Sequence, residues 1–194
     1  MAGILVTPAV GGNDPLRRAQ DTLVSDLGII AQTGSPVLAG STASTQVIYG
    51  AGLHLYAGEV ITNIIVCVST AGTSTAPTDI KLGLWDSGTP TCVAVTGSLG
   101  ADARWTSTGF KVNALTGAYT VPSTGFYYPC FWQNGAFAGT ALQLIICNNA
   151  GPTNNQIGSG KRPWCTLKTG AASMAVNDTG TYGGGVQDMW FAVS

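Results

Sequence analysis

The residues that could carry acid–base or nucleophilic chemistry are few and far apart. The 194-residue chain has one histidine, His54, and a base for a Ser or Cys nucleophile would have to be this residue. Its neighbours in residues 52–56 are mostly apolar, which favours a structural histidine. Asp178 and Asp188 could be imagined as the paired carboxylates of a glycosidase, but Asp178 stands in a turn-like Asn-Asp-Thr-Gly sequence. We therefore expect no enzymatic activity.

Phosphate, metal and cofactor motifs fail on spacing. Residues 158–161, Gly-Ser-Gly-Lys, look like the end of a phosphate loop, but Asn155 stands where the first glycine is needed and Arg162 where Ser or Thr would hold magnesium. Residues 148–155 lack a carboxylate, which disfavours calcium. No C-x-x-C pair of the zinc or redox type occurs, and we expect five reduced thiols in a protein made in the cytosol: Cys67, Cys92, Cys130, Cys147 and Cys165. The sequence predicts neither a metal nor a cofactor.

The aromatic residues offer a binding chemistry. Trp105 precedes Thr-Ser-Thr, and Trp132 precedes Gln-Asn-Gly, which contains Asn134. A flat ring beside hydroxyl and amide groups suits a sugar, so Trp105, Trp132 and Asn134 are candidate glycan-binding residues. The interpretation that we favour places such rings in a sandwich core and at an interface between subunits.

Composition excludes several classes of partner. Charged residues make up 9% of the chain, with eight Lys and Arg against nine Asp and Glu and a net charge of −1. Nucleic acid requires a dense basic footprint, and a membrane surface or an acidic partner also requires basic charge. A net charge near zero promotes association, which suits an assembled protein. No run approaches the ~18 apolar residues of a membrane helix, and the N-terminus lacks the basic region of a secretory signal.

The elements that would position these residues fall into two regions. Residues 1–12 are apolar and without periodicity, which predicts an extended arm. Asn13 or Asp14 before Pro15 predicts the start of a helix, and apolar residues at seven-residue spacing continue it to about residue 27. Residues 33–45, rich in Gly, Ser, Thr and Ala, predict a linker. We therefore assign residues 1–45 to an arm, a short helix and a linker, and residues 46–194 to one β-sandwich domain.

From residue 46 onward the sequence alternates apolar and polar residues with the period of a β-strand. Pro129 cannot donate to a ladder, which predicts an edge strand or a bulge at that position. Short strands separated by Gly, Ser, Thr and Asn turns predict an all-β fold, a jelly-roll or β-sandwich of eight or more antiparallel strands. The strongest strand patterns lie at residues 60–68, 80–85, 142–146 and 189–193.

Residues 119–128, Tyr-Thr-Val-Pro-Ser-Thr-Gly-Phe-Tyr-Tyr, resemble a strand–turn–strand element of C1q/TNF-like jelly rolls. In that family an aromatic residue and Thr lead to Pro, and then to Gly and an aromatic pair that fills the core. Residues 190–193, Trp-Phe-Ala-Val, are similar to its hydrophobic final strand. The chain departs from the family at Pro129 and Cys130, where a regular strand would continue.

The wider layout is similar to that of small bacteriophage virion proteins. In these proteins an apolar docking arm, a short helix and a Gly/Ser/Thr linker precede a β-sandwich rich in Thr, Gly and Trp. Residues 81–88 and 127–135 are similar to segments of phage fibre, minor tail and capsid-decoration domains. The resemblance implies a non-enzymatic structural protein of the virion, a homotrimer, and attachment to other capsid or tail proteins through the N-terminal region.

An apolar arm on a protein with a complete core elsewhere needs a partner to bury it. Each fully buried arm side chain would contribute about 1.5–3 kcal/mol. A helix packed on its own domain and a helix packed on a partner fit the apolar stripe equally well. The alternative function is a carbohydrate-binding module or a receptor-binding head with a cell-surface glycan as ligand. The predicted particle or subunit interface consists of Ile4, Leu5, Val6, Val10, Leu16, Leu23 and Ile30.

Overall fold

The computed structural model describes residues 29–32, 36–86, 88, 90–100, 102–147, 164–181, 183–184 and 189–194. The predicted N-terminal arm and the helix after it lie outside these residues. The described residues form thirteen strands and one 3₁₀ helix, η1 (Ala103–Thr106), with no α-helix among them. The prediction of an all-β fold is confirmed.

The strands are two to twelve residues long, and two of them, Val60–Thr70 and Gly109–Thr120, are longer than the closely spaced turn residues predict. In chain order they are β1 (Ala31–Gln32), β2 (Pro36–Thr42), β3 (Val47–Ala51), β4 (Leu53–Leu55), β5 (Val60–Thr70), β6 (Ile80–Asp86), β7 (Cys92–Val95), β8 (Gly109–Thr120), β9 (Gly125–Gln133), β10 (Gln143–Cys147), β11 (Trp164–Thr169), β12 (Gly183–Gly184) and β13 (Phe191–Val193).

Two antiparallel sheets contain these strands in the order of a jelly roll. Sheet A has the order β1–β13–β5–β10–β2, with β8 along the opposite edge of β5. Sheet B has the order β12–β11–β3–β9–β6–β7, and β4 continues β3 along β9. When β1/β2, β3/β4 and β10/β13 are each counted as one interrupted strand, and β11 and β12 are left out, eight strands remain. Numbered in chain order, strand 1 is β1/β2, strand 2 is β3/β4, strands 3 to 7 are β5 to β9, and strand 8 is β10/β13. The orders of the two sheets are then 1-8-3-6 and 2-7-4-5. This is the double Greek key of a jelly roll, with β11 and β12 added beside β3.

The main core fills the space between the two sheets because alternate side chains of each strand point inward. The inward set on β6 is Ile80, Leu82 and Leu84, and the set at the C-terminus is Met189, Phe191 and Val193, both as the alternation predicts. An unbroken alternation on β5 would also turn Val60 inward. A register shift between Ile61 and Asn63 instead places Ile61 in the core and leaves Val60 47% exposed.

Residues 170–181 cover the outer face of sheet B. Ala171 and Met174 pack there against a second buried cluster that includes Trp85 and Trp132. Main-chain hydrogen bonds hold both ends of the segment, from Ala171 N to Gln46 O (2.9 Å) and from Thr181 N to Leu167 O (2.9 Å). Sheet B is therefore apolar on both faces, and its outer face is covered by this chain.

The outer face of sheet A carries a third apolar cluster. Phe110 is half-buried against it, with its ring centroid 5.5 Å from that of Trp190. Val112 lies beside Ile65 across the β5–β8 ladder and is 43% exposed. The buried members of the cluster are Ile29, Ile65, Cys67, Ile145, Trp190 and Ala192.

Two sequence-based expectations differ from the structure. Within the segment assigned to the linker, Pro36–Thr42 forms β2 and pairs with β10, so the sandwich includes residues before position 46. Pro129 does not lie on an edge strand, because β9 has β6 on one side and β3 and β4 on the other. The pairing of β9 with β3 and β4 is interrupted between Tyr127 and Cys130. Pro129 falls in this gap, where a residue without an amide hydrogen is tolerated.

Candidate functional site

His54 has a packing role on the outer side of β4. Its ring is exposed and lies edge-on to Tyr56 and Phe126, with centroid distances of 4.9 Å and 5.3 Å. The flanking Leu53 and Leu55 are buried in the inter-sheet core. Both ring contacts that the structure shows for His54 are with aromatic side chains.

Of the two carboxylates that the sequence suggested for acid–base work, the structure describes Asp178, which has structural partners. Asp178 Oδ2 accepts a hydrogen bond from Ala175 N (2.9 Å), and Asp178 Oδ1 lies 3.7 Å from Lys168 Nζ. These contacts hold the segment that covers sheet B. Asp188, the other member of the imagined glycosidase pair, lies outside the described residues.

The predicted glycan site is not formed, because its two tryptophans are buried. Trp105 Nε1 donates to Leu99 O (2.7 Å) inside the main core. Trp132 Nε1 donates to Ala171 O (2.9 Å) beneath the segment that covers sheet B. Neither ring presents a face to a sugar. Asn134 instead ties the end of β9 to the residues before β6: its Oδ1 accepts from Asp79 N at 3.0 Å, and its Nδ2 donates to Thr78 Oγ1 at 2.6 Å.

Of the seven predicted interface residues, the structure describes Ile30. This side chain lies directly before β1 and is 41% exposed. Val60 and Val112, on the neighbouring outer face of sheet A, are exposed to a similar extent. The others lie outside the described residues: Ile4, Leu5, Val6, Val10, Leu16 and Leu23.

The cysteines with described side chains are buried thiols. Cys67, Cys92 and Cys130 lie as thiols inside apolar clusters, as the sequence predicts. Burial raises the pKa of the Cys92 thiol to about 12, and the nearby Asp178 carboxylate adds to the shift. Burial also raises the pKa of Cys67. A thiol that ionises so weakly is a poor nucleophile at neutral pH.

A cleft of about 370 Å³ opens at one end of the sandwich, where β6 ends and β9 begins. Its volume lies within the range of small-molecule sites. The lining combines a carboxylate and two hydroxyl residues with proline and aromatic residues: Asp86, Gly88, Pro122, Ser123, Thr124, Gly125, Phe126 and Tyr127.

Hydrogen bonds hold the loop between β8 and β9 that forms much of this cleft. Tyr127 Oη donates to Ser123 O (3.0 Å), and Ala57 N donates to Thr124 Oγ1 (3.0 Å). Val121 is tied to the neighbouring 56–59 loop in both directions, by Gly58 N to Val121 O and by Val121 N to Glu59 O. The cleft is therefore bordered by two loops that brace each other.

Two tyrosines lie behind the cleft, one from each sheet. The rings of Tyr119 and Tyr127 are edge-on, with centroids 6.2 Å apart. Burial raises the pKa of Tyr119 to about 12, and the charge and hydrogen bonding of Tyr127 and the charge of Asp86 add to this effect. Tyr119 therefore stays protonated across the physiological pH range.

Residues 119–128 resemble a jelly-roll turn in sequence, but this resemblance does not indicate a binding site. The available signal was a Pro-Ser-Thr-Gly turn between two aromatic-rich strands. It could not reveal that Asp86, more than thirty residues earlier, lies opposite Tyr127 in the β6–β9 ladder.

No protein-family model matches the chain, and neither a curated protein nor a solved structure matches it. In the part of the chain that the structure describes, no helix is long and apolar enough to cross a membrane. Within the same residues, no three His, Cys, Asp or Glu side chains lie close enough together to hold a metal ion.

Proposed function

We propose that the protein is a non-enzymatic structural protein of a bacteriophage virion, and that it assembles as a homotrimer through the outer face of sheet A. The observation that carries the proposal is the apolar character of that face. A buried cluster around Ile65 and Trp190 lies on that face, and Val112 on β8 and Val60 on β5 of the same sheet are 43% and 47% exposed. Ile30 adds a further exposed apolar side chain beside β1.

The assembly would be stabilised chiefly by apolar burial. At about 25 cal/mol per Å², completing the burial of a half-exposed Val or Ile contributes roughly 1 kcal/mol. A closed three-fold arrangement repeats each such contact in every subunit. The low charge of the chain supports the proposal, because few ionised side chains would have to be desolvated.

Anchoring to the particle is assigned to the residues before β1, which begin with the apolar arm. The arm side chains Ile4, Leu5, Val6 and Val10 would pack on other capsid or tail proteins, and Leu16 and Leu23 between subunits or on the shell. Deleting residues 1–12 is expected to leave the β-sandwich folded, with an unchanged melting temperature, and to stop attachment to the particle. Full incorporation of the shortened chain would contradict the anchoring role.

The experiment that tests the assembly face is a measurement of native mass by light scattering behind a sizing column, over a wide range of concentration. Val112→Lys places an ammonium group on the outer face of sheet A. Val176→Lys is the matched control, because Val176 is 46% exposed but lies in the segment that covers sheet B. We expect a trimer for the wild type and the control, and a lower mass for Val112→Lys.

A monomer at every concentration would overturn the trimer, and so would a Val112→Lys variant with the wild-type mass. Dissociation of the Val176→Lys control would move the interface to sheet B. The circular dichroism spectrum of each variant establishes that the change in mass is not a loss of folding.

The alternative role of a receptor-binding head was predicted from Trp105 and Trp132, and both of these side chains are buried. The cleft at the end of the sandwich is the feature that favours such a role.

A further inference from the structure

The cleft at the start of β9 continues into a row of aromatic rings. Phe126 lines the cleft and packs edge-on against His54, which in turn packs edge-on against Tyr56. The outermost ring is the most accessible, since Tyr56 is 61% exposed. The polar lining of the cleft is therefore followed, along this end of the molecule, by the exposed rings of His54 and Tyr56.

We propose that this cleft and its aromatic row bind a neutral saccharide, with one sugar unit in the cleft and further units along His54 and Tyr56. The proposal goes beyond the structural role above and does not depend on trimer formation. In this proposal the glycan binds to the cleft and the aromatic row, and not to the buried Trp105 and Trp132.

The lining matches the chemistry of a sugar. A carboxylate such as that of Asp86 accepts hydrogen bonds from sugar hydroxyls, and charge-assisted bonds of this kind are the stronger ones. The hydroxyl groups of Ser123 and Thr124 can both donate and accept. Aromatic rings pack against the apolar faces of a pyranose as they do against other apolar groups.

The site is also held in place before a ligand arrives. The β8–β9 loop is fastened by the Tyr127–Ser123 hydrogen bond and by the bond from Ala57 N to Thr124. Asp86 Oδ1 accepts from Gly88 N at 3.1 Å, which orients the carboxylate at the rim. Groups that are already ordered lose little conformational entropy on binding.

Gly125 provides a direct way to block the cleft. A Cβ atom added there would meet no other heavy atom within 4 Å, and the residue lines the cleft at the first position of β9. Because the fold has room for a Cβ atom at this position, Gly125→Val is expected to occupy part of the cleft. Gly135→Val is the matched control: its Cβ is equally unobstructed, and the residue follows the other end of the same strand.

The ligands for the test are glucose, galactose, N-acetylglucosamine and their linear trisaccharides, titrated into the full chain and followed by saturation-transfer NMR. We expect at least one of them to bind, with a Kd near or below about 1 mM. Gly125→Val is expected to weaken that binding at least about tenfold, and Gly135→Val to leave it unchanged. Tyr56→Ala is expected to weaken the trisaccharide about threefold to tenfold without affecting the monosaccharide.

Several results would overturn the proposal. One is the absence of binding by every sugar in the set. Another is wild-type affinity in both Gly125→Val and Ser123→Leu, the second of which blocks the cleft from an exposed loop position should Gly125→Val fail to fold. Choline is included because a carboxylate beside aromatic rings also suits a quaternary ammonium ion. Binding of choline without binding of any sugar would reassign the cleft to cations.

Discussion

Replacing Trp105 by alanine tests whether this residue belongs to the core or to a sugar-binding surface. Trp105 enters the main core from η1, where its indole is fully buried and lies edge-on to Phe131 with centroids 6.0 Å apart. If the ring lay at the surface, removing it would leave the free energy of unfolding nearly unchanged. Removing a core ring would leave a cavity, and Leu99 O would lose the hydrogen bond from the indole while keeping the one from Asp102 N.

The expected loss for Trp105→Ala is about 3–5 kcal/mol, the usual result of deleting a buried tryptophan. For a chain of this length, each kcal/mol lowers the melting temperature by roughly 2–4 °C, so we expect a decrease of roughly 6–20 °C. Trp105→Phe retains a ring but removes the N–H group. Its expected loss from the missing hydrogen bond is about 0.5–1.5 kcal/mol, because Leu99 O keeps the hydrogen bond from Asp102 N.

Urea unfolding followed by far-UV circular dichroism measures these differences, because tryptophan fluorescence would itself change with the substitution. Tyr56→Ala is the control, since an exposed ring should alter the free energy of unfolding by no more than about 0.5 kcal/mol. A Trp105→Ala variant within about 1 kcal/mol of the wild type, at an unchanged denaturant slope, would refute the placement of this ring in the core.

Three further outcomes follow from buried groups and tight glycines. The pKa values of Cys92 and Tyr119 are raised to about 12 mainly by burial, so these groups ionise at a lower pH in the unfolded chain than in the folded one. The urea concentration at the unfolding midpoint should therefore stay constant up to about pH 9 and decrease toward about pH 11. A midpoint that does not change with pH would contradict the burial of these groups. Gly100→Ala should be strongly destabilising in the same assay, because its Cβ would lie 2.5 Å from Pro77 O; a neutral result would disprove that close approach. Gly117→Ala, whose Cβ meets nothing within 4 Å, should be neutral or stabilising by up to about 1 kcal/mol, and a clear loss of stability would show that this position is not open.

Local pattern was sufficient to predict most strands. Apolar alternation in residues 80–85 and 189–193 predicted both the elements and their inward faces, because a strand that separates core from surroundings must repeat every second residue. Where the alternation is broken, as at the register shift after Ile61, the pattern alone assigned the wrong face to Val60. The strand β2 was missed because residues 36–42 are rich in small and polar residues that also suit a linker.

An all-β domain with little charge and with aromatic residues near its turns follows from the amino-acid pattern alone. Tertiary structure decided which aromatic rings are accessible: Trp105 and Trp132 are covered by segments distant in sequence, whereas Tyr56 is left exposed. It also decided the cleft, since Asp86 and Tyr127 meet only through the β6–β9 ladder. The physical reason is that alternation specifies the face of a strand, whereas its neighbours and the segments that cover it depend on long-range pairing.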